Sequence, residues 1–361
     1  MTDTNTNLTR AFQIVMILAG LAVLIQGMMF AKAILIPCML AVVVAIMLIG
    51  PSQWLRGKGV PGWLATTLIL SVFILVCLFM VVLVETSIRD FTQNIPEYNQ
   101  KLKGITEKVV SFTDSKGMHL GKKKLENMLD PRSAMEFTGS FFSGLSAVAA
   151  NGFLVILTVM FILAESGGFA GKVARIPGDT QKRLAKMNAF TSSVQQYLLI
   201  KTMVSLLTGT LVAISLEVLG VDYPVLWGVL AFGFNFVPNI GSIIAAIPAV
   251  LLALVQLGPP GAALAASCYL AINIVVGNFI EPRFMGKKLG LSTLVVFLSL
   301  IFWGWVLGPV GMLLSVILTM KVKIALDSNA ETAWMGMLLG PNLEETDLAE
   351  TAVLDRVTRS E

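Results

Sequence analysis

Charge is what this sequence holds least of. Only 13% of its residues are Asp, Glu, Lys or Arg, where a soluble globular chain averages about 25%. That shortage excludes an ordinary soluble domain, and a net charge of +4 leaves no footprint for nucleic acid. Histidine occurs once, as His119, and the three cysteines, Cys38, Cys77 and Cys268, are scattered through apolar runs. Neither a disulfide framework nor a metal site is expected from that set. No His-Glu-x-x-His or Gly-x-Ser-x-Gly signature occurs, and the stretch nearest a phosphate loop, Gly168 to Val173, fails at its last position. These absences point away from an enzyme: no catalytic residue and no cofactor is predicted. Uphill work would have to draw on an ion gradient.

What the chain does hold is apolar surface. It is 56% hydrophobic with a mean hydropathy of +0.81, the profile of an all-α polytopic membrane protein. Charge-free intervals place spans at Ala11–Ala31, Ala33–Gly50, Gly59–Val84, Phe137–Ala164 and Gly261–Ile280, and a further span at Val194–Leu219 is interrupted by Lys201 and Glu217. The first is read as a retained span rather than a cleaved signal peptide, because another apolar run follows at once. Only Lys32 separates the first two, so a tight hairpin is expected between them.

Two further regions, Val225–Leu257 and Leu291–Met320, are too long for one straight crossing, about 50 and 45 Å at helical rise. Each is interrupted, the first at Pro238-Asn239-Ile240-Gly241 and the second at Gly308-Pro309-Val310-Gly311. The arms Val225–Val237 and Val310–Met320 fall short of a core about 30 Å thick. Both regions therefore read as re-entrant hairpins, although the longer arms, Ile240–Leu257 and Leu291–Leu307, are nearly long enough to cross. Paired interruptions of this kind are the sequence pointer to a transporter's binding site. The basic clusters (Arg56 and Lys58; Lys172 to Lys186; Arg283 to Lys288) fall on one side if the first broken region returns to the side it entered. By the positive-inside rule that side, with both termini, is cytoplasmic.

The chain is thus expected to divide into residues 1–85, three spans; 86–136, an amphipathic extramembrane segment; and 137–164, a fourth span. Then follow 165–193, an amphipathic cytoplasmic linker; 194–323, a transport core holding both broken hairpins; and 324–361, a polar, acidic, partly disordered tail. In the extramembrane segment Phe91, Ile95, Tyr98, Leu102, Ile105, Val109 and Phe112 form a heptad seam, with Pro96 suited to a first helical turn. That seam packs either on its own subunit or between subunits.

Polar residues inside the spans carry the functional reading, since an ionisable group in hydrocarbon is costly unless it is paired. Lys201 on the fifth span heads a stripe with Ser205, Thr208 and Ser215, the alternative being a lysine that snorkels to the interface. Asn235 and Asn239 flank the first break, where Asn239 would cap the following half-helix. Asn273 and Asn278 lie on the sixth span, and Asn273, Gly277 and Glu281 share one helical stripe. These amides and Lys201 are the candidate solute contacts. Pro238, Gly241, Pro309 and Gly311 are expected to set hairpin geometry. Glu281, Arg283 and Glu217 are candidates for coupling or gating, although Glu281 and Arg283 would equally suit a local salt bridge at a helix stop.

At these residues the chain resembles the AI-2E (autoinducer-2 exporter) family of bacterial membrane proteins. The resemblance rests on Phe236 to Ser242, Ile247 to Val250, Asn278 to Leu291 and Trp305 to Met312, with Tyr197 to Thr202 in support. Trp334 to Gly340 draws it toward the quorum-signal exporter branch. It implies about eight membrane helices, an inner-membrane location, a homo-oligomer (a pentamer) and elevator-like movement. The implied activity is export of a small polar solute, autoinducer-2 or similar; the residues themselves place the expected path between the two broken hairpins and the polar faces of the fifth and sixth spans. A sodium(lithium)/proton antiporter titrating Glu281, and a membrane scaffold that moves nothing, are the alternatives. The expected partners are the lipid bilayer, a small polar solute and a coupling proton or sodium ion.

Overall fold

A computed structural model describes residues 2–115, 152–175, 180–238, 240–285, 290–327 and 332–340. Among the described residues the regular structure is entirely helical. Five of the described helical stretches are long and apolar enough to cross a membrane, and four shorter apolar helices accompany them among the described residues. The polytopic all-α expectation is met. Packing divides the chain into two compact units, Met1–Val44 with Gly290–Glu361, and Ala45–Leu289.

The first two helices, α1 (Thr2–Phe30) and α2 (Lys32–Gly57), are separated by Ala31 alone. The expected hairpin is absent there. Ala31 donates to the Gly27 carbonyl and Leu35 to the Ala31 carbonyl, so helical bonding runs almost without interruption. No glycine or proline stands within four residues of Lys32 to turn the chain, and a single lysine cannot. The turn after α2 is built differently: Arg56 Nη2 donates to Thr66 Oγ1 at 3.1 Å and to the Gly62 carbonyl at 3.4 Å.

A second correction concerns α3 (Gly62–Ser115), one continuous helix of 54 residues with Pro96 in its interior. The third span and the start of the heptad segment are the same rod. A proline normally breaks a helix because it leaves the carbonyl four residues back without a donor. Pro96 stands beyond the candidate span Gly62–Phe91, where water can serve that carbonyl. The remaining seam residues after Tyr98, like His119 and the 116–151 stretch, lie wholly or in their side chains outside the described residues.

In the unit Ala45–Leu289, α4 (Gly152–Ala174) and α5 (Thr180–Leu219) precede the first broken region. That region consists of α6 (Pro224–Phe234) and the first arm of α7 (Gly241–Asn273). Gly258 then bends α7 with φ 75°, a left-handed conformation that favours glycine. The two ends of the hairpin meet: the Asp222 N–H, just before α6, donates to Gln256 Oε1 at 3.0 Å. The chain therefore enters and returns at one end, the even parity that the charge pattern favours. At the tip, a Cβ on Gly241 would overlap the Phe234 carbonyl, so this position must be glycine. Beyond Gly258 the chain runs back, through a π-helical segment Ile274–Ile280, to α8 (Glu281–Met285).

The other unit contains the second break. Here α9 (Thr293–Leu307) packs along α10 (Pro309–Asp327), with Gly308 at φ 72° between them. Ser292 caps α9 by accepting from the Val295 N–H at 3.2 Å. Because α10 continues past Met320 to Asp327, it is 19 residues long, about 28 Å. The short-arm expectation for Val310–Met320 does not hold: this arm can cross. A final short helix, α11 (Ala333–Leu338), returns so that the Leu339 carbonyl accepts from the Ser292 N–H at 3.1 Å.

Candidate functional site

Helix α5 presents a polar stripe to the interior of its unit. Lys201 is only 3% exposed and Ser205 is fully buried. Thr208 and Ser215 return their hydroxyls to the Val204 and Leu211 carbonyls of their own helix, which satisfies them locally. Lys201 and Ser205 instead reach other elements. Lys201 Nζ donates to Glu281 Oε1 at 2.5 Å, the carboxylate being 18% exposed. Asn235 Nδ2 donates to Ser205 Oγ at 2.9 Å.

The snorkelling alternative for Lys201 is thereby corrected, because a lysine on its way to the interface would not be buried against a carboxylate. Glu281 also does not close a local bridge with Arg283, whose side chain is exposed. Tyr197, one turn before Lys201, is 7% exposed and lies in the field of Glu281. One turn of α5 separates the Lys201–Glu281 pair from the Ser205–Asn235 contact, about 6 Å along the axis. A cation, an anion, a hydroxyl and an amide thus gather at the hairpin tip. Such a set can bind an oxygen-rich solute by donating to its oxygens, or exchange the internal ion pair for contacts to a ligand.

Depth follows from helical rise. From Leu219, beside the hairpin's entry point, Ser205 lies about 21 Å down α5 and Lys201 about 27 Å down. The tip itself is stitched by backbone bonds, Val237 N–H to the Phe234 carbonyl at 2.8 Å and Ile240 N–H to the Pro238 carbonyl at 2.7 Å. Helix α7 starts after Ile240, which offers no capping oxygen. Asn239, the expected cap, lies outside the described residues.

The other named residues scatter. Glu217 is exposed and stands about 24 Å from Lys201 along α5, so it cannot share in the pair. Asn278 is exposed and Asn273 half-buried; among the described residues no hydrogen bond joins either to the cluster. The expected stripe of Asn273, Gly277 and Glu281 assumed regular α-helix. The segment from Ile274 to Ile280 is π-helical instead, which widens the turn yet keeps Asn273 Oδ1 on the face of Gly277, 3.6 Å from where a Cβ would stand. Pro238 sits half-buried in the first tip, while Pro309 opens α10 and Gly311 packs so closely that a Cβ would overlap the Trp303 carbonyl.

A second polar group, missed by the sequence reading as a site, lies at the far end of the hairpin. Tyr98 of α3 donates to Asp222 Oδ2 at 2.8 Å, and Gln256 Nε2 also donates to that carboxylate. Burial, reinforced by the Asp222 contact, pushes the Tyr98 phenol well above the usual tyrosine range. The seam residues Phe91 and Tyr98 pack within their own chain.

The chain matches the AI-2E family transporter profile over residues 14–331. It is 41% identical to a Haemophilus influenzae protein named only provisionally as a transport protein, covering 90% of this chain and 94% of that one. It is 37% identical to the AI-2 transport protein TqsA of Escherichia coli, covering 91% and 95%. A third relative, YhhT of Escherichia coli, also named provisionally for transport, is 34% identical over 92% and 95%.

Proposed function

The chain belongs to the AI-2E family of transporters, a multi-pass transport protein and not an enzyme, and on that premise we propose that it exports a small polar signalling molecule, autoinducer-2 or a similar oxygen-rich solute. The observation that carries this reading is the buried Lys201–Glu281 pair one turn from Asn235 and Ser205 at the tip of a broken hairpin. Isolated charges are expensive in hydrocarbon, so a paired set at an interrupted helix is kept for what it binds or moves. The name of the relative TqsA supplies the candidate solute. Lys201 and Asn235 are the solute contacts in this reading, Asn239 is a further donor at the tip, and Glu281 is the group that lets go of Lys201 when solute arrives. An inner-membrane location with cytoplasmic termini, a pentamer and elevator-like movement belong to the same proposal, from the family resemblance and the basic loops.

A second reading, sodium(lithium)/proton exchange, is favoured by one feature only, the partly exposed carboxylate of Glu281 opposite a buried cation. Purified protein in liposomes separates the two. The first reading expects uptake or release of autoinducer-2 above that of control sugars, without obligatory sodium movement. The second expects sodium flux that follows an imposed pH gradient, and absence of both returns the protein to a scaffold. Labelling of an Arg283→Cys variant, native cysteines removed, tests orientation: reaction from the cytoplasmic face supports it and reaction from outside refutes it.

A further inference from the structure

The hairpin α6–α7 enters the unit from one end, so its tip depends for its position on how its base is held. That base is tied to α3 by a set of contacts that transport chemistry does not require. Tyr98 donates to Asp222 Oδ2 at 2.8 Å and accepts from Gln256 Nε2 at 3.4 Å. Asn94 Nδ2 donates to the Tyr223 hydroxyl at 2.7 Å, and Trp227 Nε1 donates to the Asp222 carbonyl at 2.9 Å. The Phe91 ring stands edge-on to Tyr223 and Trp227, with centroids at 6.0 and 6.5 Å. Tyr223 itself takes a left-handed backbone, φ 59°, a strained state that survives only where the surroundings enforce it.

Both legs of the hairpin are held. Asp222 and Tyr223 precede α6, Gln256 ends the first arm of α7, and Phe91, Asn94 and Tyr98 lie on successive turns of the same face of α3. Gln256 is moreover one of the few side chains in the uncharged stretch Tyr223–Ile280 with two donors and an acceptor, and it spends them on this junction. We infer that Tyr98, Asp222 and Gln256, with Asn94 and Tyr223, form a clasp that stays closed and makes α3 the strut fixing the depth of the hairpin tip. They are positioning residues. They touch no solute and act through the rigid legs on Asn235 and its neighbours. The consequence for flux rests on the transport reading above, but the mechanical claim does not.

The test reads the tip directly. With Cys38, Cys77 and Cys268 replaced, Ser242→Cys at the start of α7 is labelled with N-ethylmaleimide in liposomes. Tyr98→Phe combined with Gln256→Leu should raise the labelling rate by about fivefold or more through local opening of the hairpin. Asp222→Asn, which keeps an acceptor for the phenol, should stay near the parent. An unchanged rate in the double variant overturns the strut. Should that variant fold poorly, an Asn94→Cys/Tyr223→Cys pair bridged by a bis-methanethiosulfonate decides instead. Flux kept within about twofold supports a clasp that never opens, whereas loss of flux restored by reduction shows that it opens in each cycle and overturns the inference. A parent that moves no solute at all would sink the transport reading while the labelling result still judged the clasp.

Discussion

The two broken hairpins look alike in sequence and differ in what their breaks contain. The first turns through the stretch between Phe234 and Gly241, wide enough to hold Asn235 on Ser205, and it sits one helical turn from a buried ion pair. The second turns at Gly308 alone, and Pro309 starts the next helix at once. Its interior is tight: Gly311 lies against the Trp303 carbonyl, Gly304 against Met312, and Trp303 Nε1 donates to Thr319 Oγ1 at 3.1 Å. The same kind of punctuation thus makes a polar turn in one place and a tightly packed fold-back in the other. The lesson is that a Pro/Gly interruption marks geometry, and only the side chains around it assign chemistry.

That contrast can be broken first at the ion pair. Lys201→Ala leaves a partly buried carboxylate without its cation, a loss of about 3–5 kcal/mol for a buried pair. Little folded protein should survive size-exclusion in detergent, and the swapped pair Lys201→Glu with Glu281→Lys should recover much of it. Full recovery of folded protein by Lys201→Ala alone would show that the pair is not buried in the membrane.

Next in size is the tightly packed second hairpin. Gly311→Ala forces a Cβ into the Trp303 carbonyl, an overpacking cost of about 1–3 kcal/mol, seen as a lowered Tm. The solute KM of the folded fraction should be unchanged if the solute is handled at the first hairpin, as proposed. A changed KM would extend the site to the second hairpin. Smaller still is Trp303→Phe, which removes one neutral hydrogen bond at about 1 kcal/mol and should leave flux as it was.

The smallest effect concerns pH at the clasp. A free tyrosine ionises near about pH 10, and the Tyr98 phenol is held above that. The folded form therefore prefers the neutral phenol. The stability it contributes is complete below the free value, falls as pH rises above that value, and is gone once pH has passed the raised one. At about pH 10.5 the parent and Tyr98→Phe should show the same tyrosinate absorbance; an extra ionised tyrosine in the parent would remove the clasp's donor.

Much of this could be read from the sequence, and the gaps have physical reasons. Pro238, Gly241 and Gly308-Pro309 announced the breaks because backbone chemistry is local. Lys201, Asn235 and Glu281 stood out as polar groups in apolar surroundings. Their pairing was hidden, since Lys201 and Glu281 lie 80 residues apart and no spacing rule links them. The π-helical turns between Asn273 and Glu281 leave no signature in these residue types, although Asn273 and Gly277 still share a face. Pro96 suggested a helix start, and only its place beyond the membrane span explains a helix that runs through it. The clasp draws Tyr98, Asp222 and Gln256 from three elements, so no window along the chain could have gathered it.

The central claim is that the polar tip of the first hairpin handles the solute and the second hairpin does not. Autoinducer-2 flux in liposomes containing Asn235→Leu, set beside Trp303→Phe and the parent at matched Tm, tests it most directly. Flux should fall about tenfold or more in Asn235→Leu, equivalent to about 1.4 kcal/mol of lost binding or barrier, and hold in Trp303→Phe. Parental flux in a folded Asn235→Leu protein would contradict the account.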